Sequence, residues 1–113
     1  MANKLLAQTQ NICRIYDIHP ARSKGQNFLV DEKAYDEIIA AAELQPHDVV
    51  LEVGPGLGFL TAKLAKRCQR VVAVELDDRL AELLKLALES QAVKNVEIIN
   101  RDILSIRSLE EIF

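Results

Sequence analysis

The segment Glu52-Val53-Gly54-Pro55-Gly56-Leu57-Gly58 sets a carboxylate at the end of an apolar run and places three alternate glycines behind it. The run before it, Val49-Val50-Leu51, reads as a strand, and Phe59 to Lys66 reads as a helix. Glycine admits positive φ and lets the backbone come close to a ligand. Strand, glycine turn and helix, in that order, is how doubly wound α/β folds build a nucleotide-type pocket. A second carboxylate, Glu75, closes the next apolar run, Val71-Val72-Ala73-Val74, 21 residues beyond Gly54. That offset is near the ~20 residues expected of a ribose-binding acid. A third, Asp102, follows the run Val96-Glu97-Ile98-Ile99. A glycine turn that only joins strand to helix is the plain alternative, and acids at both strand ends weigh against it.

Glycine spacing and charge choose among ligands. Dinucleotide sites use G-x-G-x-x-G, with a helix N-terminus facing a pyrophosphate. Here the third glycine comes one residue early, and Glu52 stands where it would repel a pyrophosphate. A carboxylate there suits a ligand with an ammonium and a positive centre. S-adenosylmethionine offers both, with a ribose diol, an adenine and no phosphate. A methyl-donor pocket is therefore ranked above a NAD pocket. Ligands of open α/β sheets bind beyond the carboxyl ends of the strands, so the three acids should converge there. Glu52 is expected to orient the cofactor amine through waters, Glu75 to accept from both ribose hydroxyls, and Asp102 to accept from the adenine amine. Leu76 and Ile103 are expected to sandwich the adenine ring. For Asp102 taken alone, a turn residue or helix cap is the plain reading. For Glu75 taken alone, it is an exposed salt bridge.

The elements that must position these groups follow from periodicity. Residues 3–16 read as a short helix. The stretch from Asp17 to Phe28 is loop-like. Asp31 is an N-cap for a helix with Ala34, Tyr35, Ile38, Ile39 and Ala42 at helical spacing. Pro46-His47-Asp48 marks a turn. Strands are expected at 48–53, 71–75 and 96–99, and a helix at 58–68. A further helix is capped by Asp77 or Asp78, with apolar face Leu80, Leu83, Leu84, Ala87 and Leu88. Ser105 or Ser108 is expected to start one more. This β-α-β-α-β order predicts parallel strands with right-handed crossovers, in spatial order 3-2-1.

A chain of 113 residues, half of them hydrophobic, has the size and composition of one small packed domain. No apolar run reaches the ~20 residues of a membrane span, and no signal-peptide core opens the chain, so it reads as cytoplasmic. Cys13 and Cys68 lack metal-ligand spacing, and no metal is expected. Beside prolines, His19 and His47 read as surface residues. Residues 1–33 hold five Lys/Arg against three Asp/Glu, and residues 34–113 hold nine against fourteen. The N-terminal arm is thus the basic part, suited to phosphate contact.

These residues together resemble the KsgA-type ribosomal RNA adenine dimethyltransferases. Lys24-Gly25-Gln26-Asn27-Phe28-Leu29-Val30-Asp31 is similar to the family's pre-core motif, EVGPGLGFLT from Glu52 to its cofactor loop, Val74-Glu75-Leu76-Asp77 to its ribose motif, and Asn100-Arg101-Asp102-Ile103-Leu104 to its adenine motif. The resemblance covers residues 12–106. It implies a Rossmann-like class I S-adenosylmethionine-dependent methyltransferase fold, of which this chain holds the N-terminal half. Residues 1–33 would be a helix and basic arm, and residues 34–113 the N-terminal part of the methyltransferase domain. It implies transfer of two methyl groups to the exocyclic amine of each of two adjacent adenosines, in the 3′-terminal hairpin loop of small-subunit (16S) ribosomal RNA, during maturation of the subunit. It also implies that Gln26, Asn27, Leu29, Gly54, Gly56 and Gly58 join the acids and their apolar neighbours in holding cofactor. Arg22, Lys24, Asn27 and Phe28 would contact RNA.

One departure stands out. The family carries an Asn-Leu-Pro-Tyr motif after a fourth strand, which holds the target amine, and this sequence ends at Phe113 before it. The chain is therefore expected to be part of a longer enzyme, inactive alone and with no catalytic residue of its own. Self-association through the bared edge of the first strand is expected as well. The alternatives are a macrolide-resistance-type methyltransferase of large-subunit RNA, a NAD-dependent oxidoreductase, and a non-catalytic RNA-binding or assembly module.

Overall fold

The computed structural model describes residues 4–15 and 31–113. The chain divides into two compact units, Met1–Ala42 and Glu43–Phe113. In the first, α1 spans Lys4–Ile15 and α2 spans Glu32–Ala42. Asp31 starts α2 as expected, its carboxylate accepting from the Lys33 N–H at 3.0 Å and the Ala34 N–H at 3.4 Å. That interaction satisfies donors a helix start would leave orphaned.

The second unit holds β1 (Val49–Val53), α3 (Phe59–Ala65), β2 (Arg70–Val74), α4 (Asp78–Ser90) and β3 (Val96–Ile99). The three strands form one parallel sheet with β2 in the centre. Spatial order and direction match the sequence expectation. Val71 to Val74 are buried on both faces, which is why β2 reads as an unbroken apolar run. On one face Ala73 packs with Ala62 of α3 and with Leu84 and Leu88 of α4, and Val93, Val96 and Ile98 close around them. Val49 and Val53 of β1 remain 44% and 54% exposed, and β1 pairs only with β2 among the described residues.

Two elements depart from the periodicity. The helix expected over 58–68 stops at Ala65. Asn95 explains the stop: its side-chain amide donates to the carbonyls of Ala65 (2.8 Å), Cys68 (3.3 Å) and Gln69 (3.3 Å), drawing the backbone out of helical register. The helix expected after β3 is instead two single 3₁₀ turns, η1 (Ile103–Ser105) and η2 (Leu109–Glu111). Asp102 caps the first, and the Glu111 carboxylate turns back to the Ser108 N–H at 3.1 Å, closing the second. Asp77 rather than Asp78 caps α4, accepting from the Arg79 and Leu80 N–H groups at 2.9 and 3.0 Å. Beyond the end of α4 the chain turns at Ala92, φ 56°, with Val93 N–H bonded to Leu88 O at 3.0 Å, a left-handed turn built without glycine.

Gly58 joins the glycine turn to α3 at φ 87°, and a Cβ there would run into Leu84 Cδ1. The positive φ favours glycine, and a side chain there would also oblige Leu84 to shift. Gly58→Ala should destabilise the chain by about 1–3 kcal/mol. Urea unfolding checks this: a lowered midpoint is expected, and an unchanged one would refute the packing argument.

Candidate functional site

Strand register sets the site. Val53, Val74 and Ile99 are level across the sheet as the last residues of their strands. The ladder runs one step further, Gly54 N–H bonding Val74 O and Glu75 N–H bonding Ile99 O, each at 2.9 Å. Gly54, Glu75 and Asn100 therefore form the first row beyond the carboxyl ends of the strands, where ligands of parallel sheets bind.

Glu75 is the acid of that row. It is 5% exposed. One carboxylate oxygen accepts from the Gly56 N–H at 3.3 Å and the other from the Asp77 N–H at 3.0 Å. A buried carboxylate needs such partners, and each oxygen keeps capacity for one more donor. Two adjacent hydroxyls on a ribose would fit that remaining capacity.

The glycine loop is turned inward. The Gly54 N–H goes to Val74 O, the Gly56 N–H to Glu75, and the Gly58 N–H to Pro55 O at 3.0 Å. A phosphate cradle needs loop N–H groups aimed at the ligand. Here all three glycine donors are spent within the protein, and the Glu75 carboxylate lies against the loop at Gly56. With those three donors spent and the Glu75 carboxylate beside the loop, the arrangement favours a cation-bearing cofactor over a phosphate-bearing one.

Glu52 lies one residue short of the end of β1, level with Ala73. It is half-buried, and the Thr61 hydroxyl, itself fully buried in α3, donates to its carboxylate. Burial pushes the Glu52 carboxyl above its ordinary pKa, and the Thr61 hydrogen bond offsets part of that rise. Asp102 lies three residues beyond β3, exposed, with one oxygen accepting from the Leu104 N–H at 2.9 Å. The plain reading of Asp102 as a turn cap is thus what its geometry displays, while its exposure leaves it accessible. Leu76 is 46% exposed beside Glu75, and Ile103 is half-buried in η1. Gln26, Asn27, Leu29, Arg22, Lys24 and Phe28 lie outside the described residues.

Two contributors escaped the sequence reading. Thr61 reads in the sequence only as the last residue of the EVGPGLGFLT segment, with no role of its own, and its place nine residues after Glu52 is the available signal. Asn100 donates through Nδ2 to Glu75 O at 2.9 Å and Leu76 O at 3.3 Å, bracing the backbone that carries both. An open cleft of about 250 Å³, lined by Gln69, Arg70, Lys94, Asn95, Val96 and Glu97, lies at the opposite, amino end of β2 and β3. It has neither the glycine loop nor the acids, so it is not the candidate site. Among the described residues no group of three His, Cys, Asp or Glu side chains is placed to hold a metal, and no helix is long and apolar enough to cross a membrane.

Parallel sheet, inward-turned glycine loop and strand-end acids define the Rossmann-like α/β fold of the S-adenosylmethionine-dependent methyltransferases, and solved structures share it. A dimethyladenosine transferase from Plasmodium falciparum superposes with a TM-score of 0.66 at 29% identity, over 69% of this chain and 28% of that one. A 23S ribosomal RNA methyltransferase superposes with a TM-score of 0.65 at 43% identity, over 73% and 33%. The family model for ribosomal RNA adenine dimethylases matches residues 19–112, and the chain belongs to that family. The ribosomal RNA small subunit methyltransferase A of Pelotomaculum thermopropionicum is 48% identical over 100 residues, 88% of this chain and 33% of the relative. The chain spans about a third of the length of the curated relatives it matches.

The Glu52 environment makes a pH-dependent prediction. With its folded pKa raised, the native state binds more protons than the unfolded chain between the two pKa values. The contribution to stability is therefore full below the ordinary carboxylate pKa and is lost as pH rises through the folded value. Glu52→Gln should remove that loss. Urea midpoints of the variant should exceed the wild type at pH 8, and the difference should shrink toward pH 4. The same difference at both pH values would contradict the assignment.

Proposed function

We propose that this chain holds the S-adenosylmethionine-binding part of an enzyme that dimethylates two adjacent adenosines of small-subunit ribosomal RNA. The observation that carries the reading is the buried Glu75 carboxylate bound to the Gly56 and Asp77 N–H groups, with the N–H groups of all three loop glycines bonded within the protein. Glu75 would take the ribose hydroxyls. Glu52, fixed by Thr61, would face the cofactor ammonium through water. Asp102 would accept from the adenine amine, with Leu76 and Ile103 against the ring faces. Gly54, Gly56 and Gly58 would shape the floor of the pocket. Gln26, Asn27 and Leu29 would complete it from the arm, and Arg22, Lys24, Asn27 and Phe28 would meet RNA.

When bound, the cofactor supplies an electrophilic methyl on a sulfonium. The described residues would hold it in place. Holding a donor in line with an acceptor amine supplies much of the rate of such a transfer. A loop adenosine is unpaired, so presenting its amine costs little. The acceptor is read as small-subunit RNA because the curated relatives named for that subunit align over 88–98% of this chain. The likeness to the 23S enzyme supports the large-subunit target as the second reading.

Calorimetric titration of this chain with S-adenosylmethionine, beside NAD, tests the proposal. Saturable binding of the first alone is expected. Glu75→Ala should weaken it on the order of a hundredfold, as loss of two charge-assisted hydrogen bonds implies. NAD binding, or S-adenosylmethionine binding indifferent to Glu75, would overturn it.

A further inference from the structure

We propose that Asn100 is a positioning residue for the adenosine half of the pocket, acting through the Glu75–Leu76 backbone. The inference rests on the S-adenosylmethionine reading and assigns a role to a residue that does not itself meet the ligand.

The β2–β3 ladder makes its last backbone bond at Glu75 N–H to Ile99 O, 2.9 Å. One residue further, the chains part toward α4 and η1. At that point the Asn100 side chain continues the pairing, donating to Glu75 O at 2.9 Å and to Leu76 O at 3.3 Å. One amide group thereby fixes two successive peptide planes. Glu75 is then held on both sides of its Cα, by Ile99 at its N–H and by Asn100 at its C=O. With the backbone fixed, its carboxylate meets Gly56 and Asp77 together. Leu76 is 46% exposed, so little packing holds it, and the peptide planes beside it set where its side chain stands.

Residue type follows from this geometry. Two carbonyl oxygens require a two-donor group, which the asparagine amide is and a carboxylate is not. Asn100 is exposed, so the clasp adds little to global stability; its effect falls on the local placement of Glu75 and Leu76. Sites held loosely by their supporting groups lose affinity out of proportion to the stability lost.

A double-mutant cycle separates positioning from a merely structural role. S-adenosylmethionine affinity is measured by calorimetry for the wild type, Asn100→Ala, Glu75→Gln and the double variant, with urea midpoints confirming that each is folded. Asn100→Ala should weaken binding roughly tenfold in the wild-type background and less than about twofold beside Glu75→Gln, the non-additivity expected of residues acting as a unit. If Asn100→Ala does not fold, Asn100→Asp, which keeps the shape and removes the donors, carries the same cycle. Equal losses in both backgrounds, or no loss, would overturn the inference while leaving the cofactor reading intact. Absence of binding by the wild type would overturn the cofactor reading and this inference with it.

Discussion

A carboxylate buried at the end of the central strand is the constraint on which the site depends. Glu75 cannot remain in a nearly dry position without donors, and the two it finds belong to different elements, the glycine loop and the start of α4. Satisfying it pulls Gly56 toward β2, which fixes the loop, and holds the Asp77 backbone, which then caps α4 through the Asp77 side chain. Each such bond to a charged group contributes about 1.5–3 kcal/mol. The glycines are there because the loop must pass over Glu75 at positive φ, with Gly58 pressed against Leu84.

The two poles of the sheet divide the work. At the amino pole, Asn95 ties the α3–β2 connection to the start of β3. Beside it Arg70 pairs with Glu97 at 3.7 Å and sits 5.8 Å from the Phe113 ring. This pole organises the scaffold. At the carboxyl pole, Asn100 makes the corresponding tie between β2 and β3, among the acids and the loop. Asparagines at both ends of β3 thus tie, by side chain, backbone carbonyls that the strand ladder does not reach.

The sheet was legible because β2 is apolar throughout and glycines and acids punctuate the strand ends. Strand order, direction and the capping role of Asp31 followed from the same pattern, which left the α4 cap open between Asp77 and Asp78. Helix ends were not legible where a side chain distant in sequence intervened: Asn95 lies 30 residues from Ala65, and periodicity cannot see it. The segment after β3 was overread as a helix, because a serine start signal was present without the run of packed apolar residues that sustains one. The places of the acids relative to the strand ends were legible, but their unequal situations were not. Glu75 is buried and doubly bonded, Glu52 is tied to Thr61, and Asp102 is exposed and capping its own turn. Those differences arise from register and side-chain reach, which composition does not encode.

The most direct test is to follow the backbone amide resonances of this chain by NMR while adding S-adenosylmethionine. The account predicts saturable shifts concentrated at Glu52 to Gly58, Glu75 to Asp77 and Asn100 to Ile103, beyond the carboxyl ends of the strands. Shifts centred instead on Gln69, Arg70 and Lys94 to Glu97, at the opposite pole, would contradict it.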